Sequence, residues 1–477
     1  MSYTIELNET FTSIRDIHSI FDYIADFSTI EQWDHTVINS TKTSAGKTGL
    51  GSNFDILLKF GFSSTLMKYS ISEYEAPNRL VLTGQGNGYV AIDTVTLVQD
   101  GDLVTVNWKA DIIFKGALSK LAPVMQSRVV ASAKKTIVGL ANALNDNFPA
   151  PTLKTKTKIV DKLLLSSVYT FTKWGYSKAK KSWHPDSADI TGKHIVITGS
   201  TSGIGLSAAY DLAHRKAKLT LVARNPGKAE LVKNQIIETT GNINIDIKIA
   251  DMSLVTDVRK LAKELLEENK GVDVLVNNAG NLFNPRQETN EGLEQSFALL
   301  LLAPYILTEA LYPLLRQSQG RVINVSSGGM YTQRINPNDL ESQTGQYSGS
   351  VAYAKAKRGL MICTEEWAKK WQDDGIIVNA MHPGWAETPS VINALPEFYK
   401  LTKNILRNPR QGGDTVSWLA ASTQAGKVSG EFFLDREPHM SYVLRSTMES
   451  NAERALFLNK LEDYAKRQFK QTKKSPA

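Results

Sequence analysis

The sequence predicts two domains of different classes: an α+β domain, followed by an α/β domain built on a doubly wound parallel sheet. Three observations support this prediction. The 477 residues exceed the size of one ordinary hydrophobic core. Residues 1 to about 147 contain runs in which apolar and polar residues alternate, which is typical of strands with one buried face. From Thr191 onward, short apolar runs alternate with helical segments, as in a parallel sheet covered on both faces.

The domain boundaries are placed where the composition changes. Residues 1–147 form a first, ligand-binding domain, 148–187 a basic amphipathic linker, 188–450 the α/β domain and 451–477 a charged C-terminal tail. The formal charge is +7, and the stretch 154–181 alone carries eight lysines against one aspartate, a difference of seven. The domains on either side are therefore close to neutral, which excludes the sustained basic face of a nucleic-acid-binding protein.

Cysteine usage and hydropathy indicate the cellular compartment of the protein. The single cysteine, Cys363, excludes an intramolecular disulfide and a cysteine-based zinc site, and it fits a reducing compartment. No stretch approaches about 18 uninterrupted apolar residues, and the N-terminus lacks a basic region followed by an apolar one. We therefore expect a cytoplasmic protein.

The first domain is predicted to contain a strand, a helix, a long series of strands and one long helix. Turns at 76–78, 84–88 and 99–102 separate the consecutive strands. The buried face of the last strand carries Val104, Val106, Trp108, Ala110 and Ile112. The long helix has apolar residues at three- and four-residue spacing, namely Leu118, Leu121, Met125, Val129, Ala133, Ile137, Leu140 and Leu144. Such a helix needs a sheet to pack on.

This order of elements, with the run 21–27 (FDYIADF), the pair Trp33-Asp34 and the turn 49–51 (GLG), resembles the START-like, polyketide-cyclase and lipid-transport superfamily. The resemblance implies a helix-grip fold, in which a curved sheet surrounds the long helix and an apolar cavity holds a lipid or polycyclic ligand. The same apolar pattern would also fill a solid core. The first domain offers no paired acid and base, so it is expected to bind rather than to catalyse.

The linker is predicted to contain one helix from Lys158 to Gly175. Its apolar stripe would be Val160, Leu163, Leu164, Val168, Phe171 and Trp174, with Lys158, Lys162 and Lys173 on the opposite face. A basic amphipathic helix of this kind can lie in a membrane interface, which makes 158–181 a candidate for peripheral contact with a membrane or lipid surface. Docking on one of the domains, with the lysines solvated, explains the pattern equally well.

The second domain begins with a strand at 194–198 that runs into a glycine-rich loop. Gly199, Gly203 and Gly205 let the backbone turn tightly and approach a pyrophosphate, and the helix that follows offers free N–H groups. Glycines also serve ordinary turns, but the position between a buried strand and a helix favours a nucleotide site.

The second strand of this domain ends without the carboxylate that would bind a ribose 2′-hydroxyl and is followed by Arg224. A guanidinium there can bind a 2′-phosphate, which favours NADP(H) over NAD(H). The next two strands deliver Asp251-Met252 and the run 277–280 (NNAG), both at the carboxyl ends where open α/β sheets bind ligands.

In order and spacing, the segments 198–205, Asp251 and 277–280 resemble the short-chain dehydrogenase/reductase family, whose second-domain fold is of Rossmann type. The resemblance implies contacts with the adenine from Asp251 and a lining of the cofactor site by the NNAG run. The cofactor-binding residues assigned in these segments are Gly199, Ser200, Ser202, Gly203, Ile204, Gly205, Arg224, Asp251, Met252, Asn278, Ala279 and Gly280.

The catalytic candidates are Ser327, Tyr353 and Lys357. Ser327 follows a buried strand, and Tyr353 and Lys357 are one helical turn apart on the same face. A phenol has a reference pKa of about 10, and a neighbouring ammonium stabilises its anion enough for proton exchange near neutral pH. The family resemblance implies that Tyr353 exchanges the proton, Ser327 orients the substrate oxygen and Lys357 also holds the nicotinamide ribose. It also implies that Tyr353 and Lys357 are cofactor-binding residues and that a segment with Pro383, Gly384, Ala386 and Thr388 closes over the nicotinamide end of the cofactor.

One position departs from the family pattern. Leu300 stands where the family normally has an asparagine that completes a proton relay, and leucine can neither donate nor accept a hydrogen bond. The stretches 326–330, 382–389 and 429–436 further resemble one branch of the family, which does not identify a substrate.

The expected function is an NADP(H)-dependent reductase acting on CH–OH and carbonyl groups of an apolar substrate, such as a lipid, sterol or isoprenoid. The alternative is a lipid-binding or transfer protein with a catalytically weak NADP(H)-binding domain. Relatives of the second domain imply a homo-oligomer.

Overall fold

A computed structural model of the chain describes residues 2–34, 36–60, 63–145, 150–162, 164–181, 183 and 188–469. The chain divides into two compact units. The first comprises Met1–Pro149 with Lys181–Ala188, and the second comprises Ala150–Lys180 with Asp189–Ala477.

The first unit is one antiparallel sheet and three helices. Its elements are β1 (Ser2–Ser13), α1 (Ile17–Ala25), α2 (Ile30–Trp33), β2 (Val37–Lys42), β3 (Asn53–Phe60), β4 (Ser63–Glu75), β5 (Arg79–Gly86), β6 (Tyr89–Asp100), β7 (Leu103–Lys115) and α3 (Ala117–Asn145). The strand order is β1-β7-β6-β5-β4-β3-β2, so the sequence-adjacent strands β2 to β7 form a meander and β1 pairs with β7. The predicted alternation holds in β7, where Val104, Val106, Trp108 and Ala110 are all buried.

The long helix α3 differs in phase from the predicted stripe at its start. Leu121 is 55% exposed, and the neighbouring Ala122 is instead buried against Ile5 and Phe114. Three- and four-residue steps are both compatible with a helical face, so the spacing alone cannot choose between positions 121 and 122. From Ile137 to Leu144 the predicted stripe is buried in the core of the unit.

A buried carboxyl group lies inside the first unit. Asp93 is 8% exposed and accepts a hydrogen bond from the indole N–H of Trp108 at 3.0 Å. Burial raises the pKa of Asp93 to about 6, against the hydrogen bonds from Trp108 and Tyr69, which lower it. The protonated form therefore fits the folded unit better than the carboxylate does.

This pKa predicts a pH-dependent stability of the first unit. An aspartate has an unfolded-state pKa of about 3.9, so the stabilisation from protonated Asp93 is complete below about pH 4 and is lost as the pH rises through 6. The difference between the two pKa values corresponds to roughly 3 kcal/mol. Urea unfolding of the first unit should need less denaturant at about pH 8 than at about pH 5, and Asp93→Asn should reduce that difference. The exposed Asp100→Asn on the same strand is the control, and an equal effect of both variants would refute the assignment.

The second unit is an α/β structure. Its elements are α4 (Thr155–Lys162), α5 (Leu164–Phe171), α6 (Lys173–Lys180), β8 (His194–Thr198), α7 (Gly203–His214), β9 (Lys218–Ala223), α8 (Pro226–Thr240), β10 (Ile245–Ile249), α9 (Val255–Glu268), β11 (Val274–Asn277), α10 (Gln295–Phe297), α11 (Ala303–Ala310), α12 (Tyr312–Gln317), β12 (Arg321–Val325), α13 (Gly349–Lys370), β13 (Ile377–Met381), α14 (Pro389–Ala394), α15 (Pro396–Thr402), α16 (Pro409–Ala421), β14 (Phe432–Leu434), β15 (Glu437–His439) and α17 (Asn451–Lys466). The strand order is β10-β9-β8-β11-β12-β13-β14-β15, and all pairs are parallel except β14 with β15.

This strand order creates the place where a ligand can bind. The chain moves outward from β8 to β10, returns to the other side of β8 with β11, and continues outward to β14. Loops after β8 and β11 therefore diverge and leave a crevice at the carboxyl end of the sheet. Hydrophobic clusters cover both faces of the sheet, as the predicted doubly wound class requires.

The segment predicted as one linker helix contains α4, α5 and α6, which belong to the second unit, and the described backbone leaves the helical conformation at Thr172. Of the predicted stripe, Val168 and Trp174 are 40% and 52% exposed, whereas Phe171 packs against His382. Leu163 lies outside the described residues, and the side chains of Lys162 and Leu164 are not described. The interruption after α5 has a visible cause, because Arg407 binds the carbonyl oxygens of Thr170, Phe171 and Thr172.

The chain end predicted as a charged tail contains α17, which is anchored in the second unit. A capping box joins Ser450 and Glu453 at its start, and Phe457 and Leu461, four residues apart, are fully buried. Within the described part of the chain, no helix combines the length and apolar character that crossing a membrane requires.

Candidate active site

One cavity of about 990 Å³ opens at the crevice between the loops after β8 and β11. Most of the residues assigned from the sequence line it, including Gly199, Ser202, Gly203, Ile204, Arg224, Asp251, Met252, Asn278, Ala279, Gly280, Ser327, Tyr353, Lys357, Pro383, Gly384, Ala386 and Thr388. Ser200 and Gly205 lie beneath this surface instead. Ser200 is fully buried and donates to the Val222 carbonyl, and a Cβ atom on Gly205 would lie 2.5 Å from the Gly199 carbonyl oxygen.

The glycine-rich loop is shaped to receive a phosphate group. Gly199 has φ +66°, and a Cβ atom there would lie 2.8 Å from Ala279 Cα, so only glycine fits. Gly203, at φ +55°, begins α7, whose N-cap Ser202 makes no side-chain capping bond within the described structure. The first turn of this helix therefore starts at the cavity wall and is not capped by Ser202, which is the arrangement that a pyrophosphate site needs.

The loop is joined to the end of β11 by a small hydrogen-bond network. Thr198 Oγ1 accepts from the backbone N–H groups of Asn278 and Ala279, each at 3.0 Å. The Asn278 side chain donates to the carbonyls of Thr198 and Gly199. These contacts fix the two walls of the cavity relative to each other.

At the end of β9, Arg224 carries an exposed guanidinium. Its side chain is 75% exposed, and Nη1 lies 3.8 Å from an oxygen of Asp251. Asp251 is itself held by the backbone N–H and hydroxyl of Ser253. A cation at this edge of the cavity lies in a position suited to a second phosphate group.

Ser327, Tyr353 and Lys357 converge on the same cavity. Ser327 Oγ accepts from the Gly329 N–H at 3.1 Å, and burial raises the pKa of Tyr353 while a hydrogen bond with Ser327 lowers it. Lys357 Nζ lies 5.8 Å from the centre of the Tyr353 ring and donates to the Val325 carbonyl at 2.6 Å. Burial lowers the pKa of Lys357 to about 7. Such a cluster can deliver a proton to, or remove one from, an oxygen in the cavity.

Leu300 lies in a π-helical turn, 298–302, between α10 and α11. It is 1% exposed, and a void of about 10 Å³ separates it from Lys357 and Asn277. The structure therefore puts an apolar side chain beside Lys357, the lysine of the candidate site. Single π-helical turns are frequent at functional sites.

The segment after β13 closes the cavity. Gly384 has φ +73°, and a Cβ atom there would lie 2.2 Å from Arg407 Nε. The absence of a side chain at this position therefore leaves room for the buried guanidinium. Thr388 caps α14 through the Val391 N–H and approaches Gly203 across the cavity.

Several residues that line the cavity were not predicted from the sequence as site residues. They are Thr201, Ser253, Asn281, Leu282, Phe283, Phe171, His382, Trp385 and Phe398. Thr201 and Ser253 adjoin recognised motifs, so their positions were within reach of sequence reasoning. His382 immediately precedes the Pro-Gly turn; burial lowers its pKa to about 3, and its ring nitrogens have no hydrogen-bond partner among the described residues.

Comparison with known proteins gives a consistent set of relatives. The family model described as short chain dehydrogenase matches residues 193–397. Dehydrogenase/reductase SDR family member 12 of Homo sapiens is 40% identical over 300 residues, covering 62% of this chain and 94% of that protein. The Bos taurus protein of the same name is 39% identical over 302 residues, covering 62% and 94%. Retinol dehydrogenase 13 of Homo sapiens is 31% identical over 262 residues, covering 52% and 78%.

Proposed function

The chain belongs to the short-chain dehydrogenase/reductase family, and from this membership we propose that its second unit uses NADP(H) to interconvert a carbonyl and an alcohol on an apolar substrate. The chain is an oxidoreductase of a family that binds NAD(P). The main observation in support of this proposed reaction is the convergence of Ser327, Tyr353 and Lys357 on one cavity. The same cavity contains the glycine-rich loop and Arg224.

The residues present fit a dinucleotide. The free N–H groups at the start of α7 and the Gly199 and Gly203 backbone would bind the pyrophosphate, and Asp251 and Asn278 would border the adenine and the adjoining ribose. Lys357 and the segment from Pro383 to Thr388 would hold the nicotinamide end. When bound, the nicotinamide supplies or accepts the hydride.

The proton is transferred by side chains of the protein. In the reduction, the Tyr353 hydroxyl protonates the substrate oxygen, and the hydroxyl of Ser327 donates a hydrogen bond that orients it. In its protonated form, Lys357 stabilises the phenolate left behind, because a nearby positive charge lowers the pKa of a phenol. The alcohol oxidation uses the same groups in the opposite direction.

An apolar substrate is supported by cavity-lining side chains outside the nucleotide motifs. Aromatic and aliphatic residues are among them, namely Phe171, Leu282, Phe283, Trp385, Val391, Leu395 and Phe398. Among the relatives, retinol dehydrogenase 13 carries in its name an alcohol with a long apolar chain. A retinoid, isoprenoid or sterol carbonyl is therefore the substrate class that we propose.

For the first unit we propose a START-like, helix-grip domain that binds an apolar ligand such as a lipid. Its supporting features are the seven-stranded antiparallel sheet and the contact of the long α3 with β1 and β7. We also propose that the basic segment 158–181 contacts anionic lipid, since Lys158, Lys178, Lys180 and Lys181 are exposed.

The function is tested by native mass spectrometry of freshly purified protein, followed by NADPH oxidation assays with all-trans-retinal and a panel of aromatic and aliphatic ketones. Co-purifying NADP(H) and turnover of an apolar carbonyl are expected. Cofactor binding with no turnover across the panel would refute the reductase and favour a lipid-binding protein with an inactive cofactor domain. Loss of the cofactor as well would refute the nucleotide site.

The cofactor preference gives a separate prediction. Arg224→Ala should weaken NADPH binding about 10- to 100-fold, since a charge-assisted hydrogen bond contributes about 1.5–3 kcal/mol, and should leave NADH binding nearly unchanged. Fluorescence titration of both cofactors measures this directly. Lys228→Ala removes an exposed cation four residues along the chain and should affect neither cofactor. An equal loss for NADPH and NADH in Arg224→Ala would contradict the role in 2′-phosphate binding.

A further inference from the structure

We propose that Phe171, which lies outside the matched dehydrogenase region 193–397, determines substrate specificity by forming an apolar wall beside the reacting carbonyl. The inference rests on the proposed carbonyl chemistry and adds the class of group that the site selects: a flat, apolar substituent next to the carbonyl.

The ring of Phe171 lies at the catalytic end of the cavity. A Cβ atom on Gly328, the residue after Ser327, would lie 3.2 Å from the tip of this ring. The ring meets His382 edge-on, with 4.6 Å between ring centres, and lies 6.0 Å from the ring of Trp385. Trp385 in turn meets Phe398 edge-on at 5.2 Å. The three aromatic rings form a continuous row that ends beside the catalytic serine.

The position of Phe171 is fixed by later residues of the second unit, both inside and beyond the matched region 193–397. Its carbonyl oxygen accepts from the backbone N–H of Trp385 at 2.8 Å and from Arg407 Nε at 3.0 Å. Arg407 is 1% exposed, also binds the carbonyl of Thr170, and forms a two-point ion pair with Asp435 at 2.6 and 2.8 Å. A segment fixed by so many buried bonds is a permanent wall rather than a loosely attached linker.

This wall favours one kind of substrate. Aromatic rings interact best with flat apolar groups, through stacked or edge-to-face contacts. At pH 7 the neighbouring His382 is uncharged, so this side chain offers no charge to a carboxylate or ammonium group on the substrate. A conjugated or aromatic ketone should therefore bind more tightly than a small aliphatic one.

The test compares 2-acetylnaphthalene, a flat aromatic ketone, with cyclohexanone on the NADP⁺-loaded full chain by equilibrium dialysis, with NADPH-dependent turnover measured in parallel. In Phe171→Ala, the Kd and KM for 2-acetylnaphthalene should rise roughly 10- to 100-fold, while the values for cyclohexanone change little. Phe171→Tyr keeps the ring and should restore the preference. Trp174→Ala removes an exposed aromatic side chain from the same segment and is the matched control.

The outcomes separate the two proposals. Binding that prefers the aromatic ketone and loses this preference only in Phe171→Ala supports the specificity role even if no ketone is turned over, in which case the reductase alone is refuted. An unchanged preference in Phe171→Ala, or an equal loss in Trp174→Ala, overturns the specificity role. Titration with NADPH identifies misfolding, since a folded variant retains the wild-type Kd for the cofactor.

Discussion

Replacing Tyr353 by phenylalanine is expected to lower turnover of any carbonyl substrate by about 10²–10⁴-fold, the usual contribution of a positioned proton donor. In the proposed reaction, the phenol exchanges the proton. Burial raises its pKa, and the hydrogen bond with Ser327 and a protonated Lys357 nearby act in the opposite direction. Phenylalanine keeps the ring that packs against the core and removes only the hydroxyl.

The diagnostic result is the separation of binding from catalysis. NADPH affinity in Tyr353→Phe should stay within a few-fold of the wild type, because the pyrophosphate and Arg224 contacts lie elsewhere, whereas kcat falls. Tyr312→Phe removes a hydroxyl that binds Asp374 outside the cavity and should leave turnover unchanged. Undiminished turnover in Tyr353→Phe would refute the assignment of the proton donor.

Leu300 affects how the absolute rates are interpreted. An apolar side chain beside Lys357 cannot pass a proton on, so the wild-type rate can be modest even if Tyr353, Ser327 and Lys357 act as proposed. The ratio between wild type and Tyr353→Phe measures the contribution of the hydroxyl independently of that rate.

Local sequence patterns were sufficient to predict the geometry of the glycine-rich loop. The strand at 194–198, the glycines at 199 and 203 and the helix that follows are consecutive in the chain, so their geometry depends on neighbouring residues. The pair Tyr353 and Lys357 was predictable for the same reason, because helical spacing puts both on one face.

The surroundings of Phe171 could not be predicted in this way. Its sequence context showed an apolar stripe, but its position depends on Arg407, which lies 236 residues further along the chain. The break between α5 and α6 has the same origin, since the buried guanidinium takes the carbonyl oxygens that a continuous helix would use. Long-range polar contacts therefore interrupt the predicted single helix after Phe171.

Arg407→Leu is expected to destabilise the second unit by about 3–5 kcal/mol, the typical cost of removing one partner from a buried ion pair. Asp435, 6% exposed at its side chain, would lose its guanidinium partner, and the carbonyls of Thr170, Phe171 and Thr172 would lose a shared donor. Urea unfolding followed by far-ultraviolet circular dichroism measures the loss.

A double variant distinguishes the two consequences of this substitution. Arg407→Leu combined with Asp435→Leu removes both charges and should recover part of the lost stability, since a buried ion pair can often be replaced by apolar residues. The double variant still lacks the donors to the carbonyls around Phe171, so its preference for 2-acetylnaphthalene should be weaker than that of the wild type. Arg407→Lys keeps a charge for Asp435 but not the planar set of donors. Its free energy of unfolding should therefore lie between those of the wild type and Arg407→Leu. A loss below about 1 kcal/mol in Arg407→Leu, a size usual for exposed ion pairs, would contradict a structural role for this buried pair.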